Sequence, residues 1–270
     1  MEFLYYLHSD CIECICYISN FNLAKTLSLT HYHFGTHIYK IYDCDKIIRK
    51  RLSYFTNLNR LICISIYRQS EILKLTNLTF LNISTGFRIK YISHLTNLKN
   101  LHLNRASNLN EIKGLSRLLS LSMNSDFKIK DINHLIGLTK LHLDLNERIR
   151  NISALTRLKE LFLGKNNKIE HIFILTQLEI LNLACNTKIK NITTLTNLKI
   201  LMLGHNNEID DVQMLVNLKY LNIDMNQKIS RLDNLTNLYQ LRYYETSAIS
   251  LLPSQLKDGA NVKIYFDDNN

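Results

Sequence analysis

The sequence predicts an α/β repeat fold: a solenoid in which each turn adds one short strand to a curved parallel sheet on its concave face. A segment of 20 residues, LTQLEILNLACNTKIKNITT from Leu175, is followed at once by a close variant from Leu195. Counted from the first leucine, apolar residues occupy positions 1, 4, 7, 9, 15 and 18, and asparagine occupies position 12. Steps of three wind the chain into a coil, whereas the step of two indicates a short strand with both side chains inward.

One such unit would not be stable alone. Its six buried aliphatic side chains contribute about 1.5–3 kcal/mol each. Ordering its backbone costs about 1–2 kcal/mol per residue. We therefore expect neighbouring units to stack, so that each covers the open faces of the next and a continuous core forms.

Asparagine recurs in phase at position 12, in Asn146, Asn166, Asn186, Asn206 and Asn226. An amide both donates and accepts hydrogen bonds, so we expect these five residues to form an internal ladder that satisfies backbone groups where the coil leaves its strand. A general preference of asparagine for turns explains the residue type but not the phase. The pattern LxxLxLxxN resembles the leucine-rich repeat, and this resemblance implies a solenoid with a binding surface on its concave side.

The repeat register divides the chain. Residues 55–254 carry the leucine-rich repeats, and residues 35–54 form a junction with a degenerate repeat. Residues 255–270 contain an alternating apolar segment, which predicts a capping strand, and an acidic tail. With 7 glycines and 1 proline in the chain, we expect no flexible hinge.

Residues 1–34 allow two interpretations. Apolar residues at helical spacing predict a short helical module, and the stretch resembles an F-box, which docks on the Skp-family adaptor of cullin–RING ubiquitin ligases. The residues that this resemblance assigns to adaptor binding are Leu7, Ile12, Ile15, Ile18 and Leu23. Several of the same residues also fit the repeat register, which predicts a degenerate repeat that caps the core.

Metal and cofactor sites are not predicted. Cys11, Cys14 and Cys16 have the side chains of zinc ligands, but Cys11 and Cys14 share a predicted helix face with aliphatic residues, where cysteine acts as a small hydrophobe. His102 and His142 both take position 8, two strands apart, and are interpreted as solvated. The chain has no phosphate-binding loop, no HExxH and no nucleophile elbow, so we do not expect an enzyme.

Six cysteines without a convincing signal peptide favour a reducing compartment. We therefore expect an intracellular protein, cytoplasmic or nuclear, that does not span a membrane and is monomeric outside its complexes. No apolar run has membrane-spanning length.

Positions 6, 8 and 10 flank the inward leucines and predict the binding surface. Apolar residues concentrate there in the later repeats, as Phe162, Ile180, Ile200, Met202 and Tyr220. We expect Asp144 and Asp224 at the rim of this surface, with room for a partner backbone beside Gly164, Ala184 and Gly204. Aromatic and methionine anchors with a polar rim are typical of protein interfaces, although strands also favour such residues in general.

Positions 14 and 16 concentrate the net charge of +10 in a basic ridge. The ridge comprises Arg88, Lys90, Lys128, Lys130, Arg148, Arg150, Lys168, Lys188, Lys190 and Lys228. It lacks interleaved aromatic residues, so a solvated flank is favoured over nucleic-acid binding. The sequence therefore predicts a substrate-recognition adaptor of a ubiquitin ligase, with a binding scaffold without a ubiquitin role as the alternative and a polyanion binder as a distant third.

Overall fold

The computed structural model describes residues 40–42, 57–65, 70, 72–85, 89–103, 109, 111–124, 128–244, 250 and 262–265. The F-box interpretation, the alternative cap and the cysteines of residues 1–34 all lie outside these ranges. The chain divides into two compact units: residues 1–122 with 127–129, and residues 123–126 with 130–270.

The first unit is a stack of coil turns, each with a strand. Its strands are β1 (Lys40–Tyr42), β2 (Arg60–Ser65), β3 (Phe80–Thr85), β4 (Asn100–Leu103) and β5 (Ser120–Met123), whose last residue belongs to the second unit. Strands β1 to β4 pair in chain order and are parallel, with partners 20 residues apart, such as Leu61 with Leu81.

The second unit repeats the same plan. Its strands are β6 (Lys140–His142), β7 (Glu160–Phe162), β8 (Ile180–Asn182), β9 (Ile200–Met202), β10 (Tyr220–Asn222), β11 (Gln240–Tyr244) and β12 (Val262–Tyr265). All are parallel and pair in chain order, so that Leu161 aligns with Leu181 and Leu181 with Leu201. Strand β12 lies in the segment for which the sequence predicts a capping strand.

The three-residue steps of the sequence correspond to backbone turns. The N–H of Leu175 donates to the carbonyl of Ile172, which is position 18 of the preceding repeat, at 2.9 Å. The N–H of Leu178 donates to the carbonyl of Leu175 at 3.1 Å. The step from position 9 to position 12 closes in the same way, with Asn186 donating to Leu183 at 2.9 Å. Each turn therefore brings the next apolar side chain inward while satisfying part of its own backbone.

The predicted parallel-sheet solenoid is confirmed, but the α/β description applies only to its β part: the described residues contain no α-helix. The physical reason is the short unit, in which leucines at intervals of three are accommodated by consecutive turns. The core lies between strands and turns, and the position 7 leucines from Leu61 to Leu241 are all fully buried.

Within the described ranges, no helix has the length and apolar character needed to cross a membrane. The same residues contain no group of three or more histidine, cysteine or acidic side chains arranged to hold a metal ion.

Candidate functional site

The candidate site is the strand face of the second unit, by which we mean the outward side chains at positions 6 and 8 of β6 to β11. Strands β7 to β10 share one burial pattern, in which a buried central leucine is flanked by two half-buried residues. Because side chains alternate along a strand, the flanking residues point away from the core.

Apolar side chains occupy neighbouring places on this face. In the position 6 row, Ile180 pairs with Ile200, and Ile200 pairs with Tyr220. In the position 8 row, Phe162 and Met202 lie on either side of Asn182. All five apolar residues named from the sequence therefore lie on one face, half-buried, and we call Phe162, Ile180, Ile200, Met202 and Tyr220 the apolar patch.

The asparagines of the position 8 row are tied to the backbone of their own turns. The Oδ1 atom of Asn182 accepts a hydrogen bond from the N–H of Ala184 at 2.9 Å. Asn222 does the same for the N–H of Asp224, also at 2.9 Å. These carbonyl oxygens therefore have a structural partner within the chain.

The glycines beside the patch have a conformational role that the sequence interpretation missed. Gly164 has φ 45° and Gly204 has φ 47°, in the left-handed region that favours glycine. Gly164 is also buried, and a Cβ atom there would overlap Oδ1 of Asp144. The expected space for a partner backbone at Gly164 is therefore filled by the Asp144 side chain.

A charged cluster lies beside the patch on β6 and β7. The carboxylate of Glu160 accepts from Lys140 through Oε2 at 2.8 Å and from Nε2 of His142 through Oε1 at 3.0 Å. Burial acts to raise the pKa of Glu160, but hydrogen bonds from Lys140 and His142 outweigh it and hold the pKa below its usual value. Burial raises the pKa of Asp144, although the nearby His142 opposes that rise.

The two histidines of position 8 are not the simply solvated side chains expected from the sequence. His142 is half-buried, and its ring lies 4.3 Å from the ring of Phe162, centroid to centroid. His102 packs on Phe80 with a centroid distance of 5.3 Å. In both cases the adjacent strand supplies the aromatic ring, from the register partner of His142 and from a diagonal position for His102. Single-repeat spacing does not reveal these contacts.

The second expected rim carboxylate is buried. Asp224 is only 7% exposed, and its Oδ2 lies 2.5 Å from Nε of Arg242 on the neighbouring strand. Its charge is therefore compensated within the sheet, because a buried carboxylate without a partner would be costly. The sequence predicts Asp224 at the rim of the surface, and in the structure this carboxylate is buried and paired with Arg242.

The position 12 asparagines lie inside the coil. Asn146, Asn166, Asn186, Asn206 and Asn226 are all fully buried. In each, Oδ1 accepts from the backbone N–H groups two and three residues later, at 2.8–3.4 Å. The side chain thus closes the step from position 12 to position 15, where it takes the place of a backbone carbonyl.

A second amide ladder, at position 3, was missed at the sequence level. The Nδ2 groups of Asn97, Asn197, Asn217 and Asn237 donate at 2.8–3.1 Å to carbonyls 21 residues earlier. The recurrence of LTNL at the start of several repeats is the signal that would have revealed it. These bonds link successive turns of the coil.

Comparisons with known proteins find the same architecture among solved structures. No protein-family model and no curated protein matches the chain. Among solved structures, an internalin (InlF) from Listeria monocytogenes is similar with 21% identity and a TM-score of 0.59, over 92% of this chain and 94% of that one. A leucine-rich-repeat protein from Leptospira interrogans is similar with 21% identity and a TM-score of 0.55, over 87% and 74% of the two chains.

The functional domain of InlJ from Listeria monocytogenes is also similar, with 18% identity and a TM-score of 0.55, over 86% of this chain and 64% of that domain. At such identities the likeness concerns the fold and not the function. With the 20-residue strand register and the buried leucines, it shows that this chain has the leucine-rich-repeat fold.

Proposed function

We propose that this chain is a protein-binding scaffold and that the strand face of its second unit is the recognition surface. The observation that carries the proposal is the apolar patch, whose five members lie in two neighbouring rows on β7 to β10, with Asn182 between Phe162 and Met202. Aromatic and methionine side chains of this kind are favoured at protein interfaces. Repeat solenoids commonly use an extended face for binding, which fits the fold.

The charges around the patch indicate what kind of partner it fits. Glu160 is paired with Lys140 and His142, and Asp224 is paired with Arg242. Because these side chains already neutralise one another, the face offers little net charge for steering a partner. We infer a protein partner that inserts apolar or aromatic side chains, with an affinity that changes little with salt concentration.

The test compares two double variants of the tagged chain. Phe162→Ala with Met202→Ala removes the two anchors of position 8. The matched control, Phe173→Ala with Ile174→Ala, removes two apolar side chains that are 57% and 46% exposed away from the strand face. Proteins that are retained by wild type and by the control, but lost by the strand-face variant, are the expected partners.

For such a partner, the dissociation constant should rise at least about tenfold in the strand-face variant, since interface anchors cost more than about 1 kcal/mol each on truncation. The rise is expected in both low and high salt, and circular dichroism checks that each variant is folded. If both double variants retain the same proteins with the same affinity, the strand face is not the recognition surface.

The ubiquitin-ligase adaptor remains a second, narrower hypothesis, supported only by the resemblance of residues 1–34 to an F-box. It predicts an intracellular chain that co-purifies with a Skp-family adaptor, and loss of that adaptor in Ile15→Asp. A wild-type chain that binds no purified Skp-family adaptor would rule this hypothesis out and leave the scaffold proposal intact.

A further inference from the structure

We propose that a depression on the basic flank of the second unit binds a small ligand that carries two or more phosphate or sulfate groups. The depression has a volume of about 640 Å³ and is lined by Lys130, Asp131, Asn133, Glu147, Arg148, Arg150, Asn151 and Lys168. Its size falls within the range of small-molecule sites in proteins. It lies in three successive repeats and is separate from the strand face.

The charge of the lining favours an anion. Four cationic and two acidic side chains give a formal charge of +4 − 2 = +2. Lys168 is paired only loosely, with Nζ 3.9 Å from Oε2 of Glu147. Within the described part of the chain, Lys130, Arg148 and Arg150 form no ion pair. These three cations are therefore available to a ligand.

One of the two acidic lining residues, Asp131, already accepts hydrogen bonds from a neighbouring lining residue. Oδ1 of Asp131 accepts from the backbone N–H of Asn133 at 2.9 Å and from its Nδ2 at 3.1 Å. Asn133 also donates to the carbonyl of Asn151 at 3.3 Å and accepts from the N–H of Ala154 at 3.3 Å. Asn133 thus links two successive turns beside the cationic side chains.

The spacing of the cations fits a ligand with several anionic groups. Arg148 and Lys168 take position 14 of successive repeats, and Lys130 and Arg150 take position 16. Successive repeats are offset by one strand spacing, about 4.8 Å. Two arginines are suited to phosphate and sulfate because a guanidinium donates two parallel hydrogen bonds to such oxyanions.

The lining also argues against a nucleic-acid ligand. It contains no aromatic side chain on which a base could stack. Further along the flank, Lys190 is opposed by Glu208 at 3.7 Å, and Asp210 takes the next position 16. The positive charge is therefore local, which suits a compact ligand better than a long polymer.

The test uses isothermal titration calorimetry on the full chain at constant ionic strength. The two probes are inositol hexakisphosphate, for phosphate groups, and sucrose octasulfate, for sulfate groups, and their affinities distinguish the two sources. Arg148→Gln with Arg150→Gln should raise the dissociation constant of the tighter probe at least tenfold. The matched control, Lys188→Gln with Lys190→Gln, makes the same charge change at the same repeat positions outside the depression and should raise it less than twofold.

A third variant tests whether binding depends on the charge of the lining. Glu147→Gln removes an acidic side chain from the lining and should tighten binding several-fold, which a general loss of structure cannot produce. The proposal is overturned if wild type binds neither probe saturably, or if the two double variants weaken binding equally. Phe162→Ala with Met202→Ala should leave probe binding unchanged, so this site and the strand face are tested separately.

Discussion

Two kinds of repeat alternate in the second unit, and they leave the strand in different ways. The repeats that begin at Leu155 and Leu195 have glycine at position 10, and we call them glycine-turn repeats. Those that begin at Leu175 and Leu215 have asparagine at position 8, and we call them asparagine-turn repeats. The sequence period is 20 residues, but the pattern of the turns repeats every 40.

The backbone shows where each kind places its left-handed residue. In glycine-turn repeats it is the glycine itself, Gly164 or Gly204. In asparagine-turn repeats the left-handed residue is at position 11, as Cys185 with φ 61° or Met225 with φ 59°. Left-handed backbone costs an L-residue about 1–2 kcal/mol, so the asparagine-turn repeats need compensating bonds.

Position 8 supplies one of these bonds, and this connects the turn to the candidate binding surface. Asn182 and Asn222 each accept from the N–H at position 10. A glycine-turn repeat adopts its turn without such a side chain, and its position 8 carries Phe162 or Met202 instead. In these four repeats, the kind of turn therefore corresponds to the presence or absence of a large apolar side chain at position 8.

The internal ladder also alternates. Nδ2 of Asn186 donates to the carbonyl of Asn166, and Nδ2 of Asn226 donates to that of Asn206. The asparagines of the glycine-turn repeats reach further back, with Asn166 donating to Leu143 at 3.4 Å and Asn206 to Leu183 at 3.3 Å. Both kinds therefore bond to the immediately preceding repeat, at its position 12 from the asparagine-turn repeats and at its position 9 from the glycine-turn repeats.

The largest expected effect is on the ladder. Asn186→Leu leaves the N–H groups of Lys188 and Ile189 and the carbonyl of Asn166 without this partner. Unsatisfied buried groups cost about 1–3 kcal/mol each, so we expect a loss of about 3 kcal/mol in the free energy of unfolding. Asn182→Leu, on the strand face, removes one bond at a half-buried site and should cost about 1 kcal/mol.

Urea denaturation measures both variants. Equal losses would show that position 12 stabilises the coil no more than position 8 does. Such a result would remove the argument that the buried amide substitutes for a backbone carbonyl.

The parts of this structure that follow from the sequence are those that depend on periodicity. The inward leucines, the strand register and the common face of Phe162, Ile180 and Tyr220 all follow once the 20-residue unit is aligned, because each position returns to the same place on the coil. Only the periodic part of the chain could be predicted in this way.

Contacts between different side chains of neighbouring repeats could not be predicted. The pair of Asp224 with Arg242 and that of Lys140 with Glu160 depend on which rotamers meet across two strands. Likewise, the alternation of turns depends on φ at Cys185, a value that its residue type does not favour. A two-repeat alignment would have shown the alternation of Asn and Gly, but not its geometry.

A smaller effect is expected at the glycine turns. Gly164→Ala and Gly204→Ala both place a Cβ on left-handed backbone, which costs about 1–2 kcal/mol. Gly164→Ala should cost more, because its Cβ would overlap Asp144, whereas that of Gly204→Ala would lie 3.2 Å from Cβ of Ala184. Thermal and urea denaturation measure the difference.

The control is the double variant Gly164→Ala with Asp144→Ala, which removes the overlapping carboxylate. It should be more stable than Gly164→Ala alone. If removing Asp144 does not help, the extra cost at Gly164 has a different origin from the contact with that side chain.

The smallest expected effect tests the coupling between positions 8 and 10 directly. Asn182→Phe removes the bond to the N–H of Ala184 and should destabilise the chain by about 1 kcal/mol. Ala184→Gly alone should also destabilise slightly, since glycine loses more backbone entropy on folding.

Together, Asn182→Phe and Ala184→Gly convert an asparagine-turn repeat to the Phe-x-Gly sequence of the repeat that begins at Leu155, which can place its left-handed residue at position 10. The double variant should therefore be more stable than the sum of the single effects by about 0.5–1 kcal/mol, a coupling typical of residues in contact. A double-mutant cycle by urea denaturation measures this term. Strict additivity would mean that the turn and the strand-face side chain vary independently, and that the alternation of Phe162, Asn182 and Met202 does not arise from the turns.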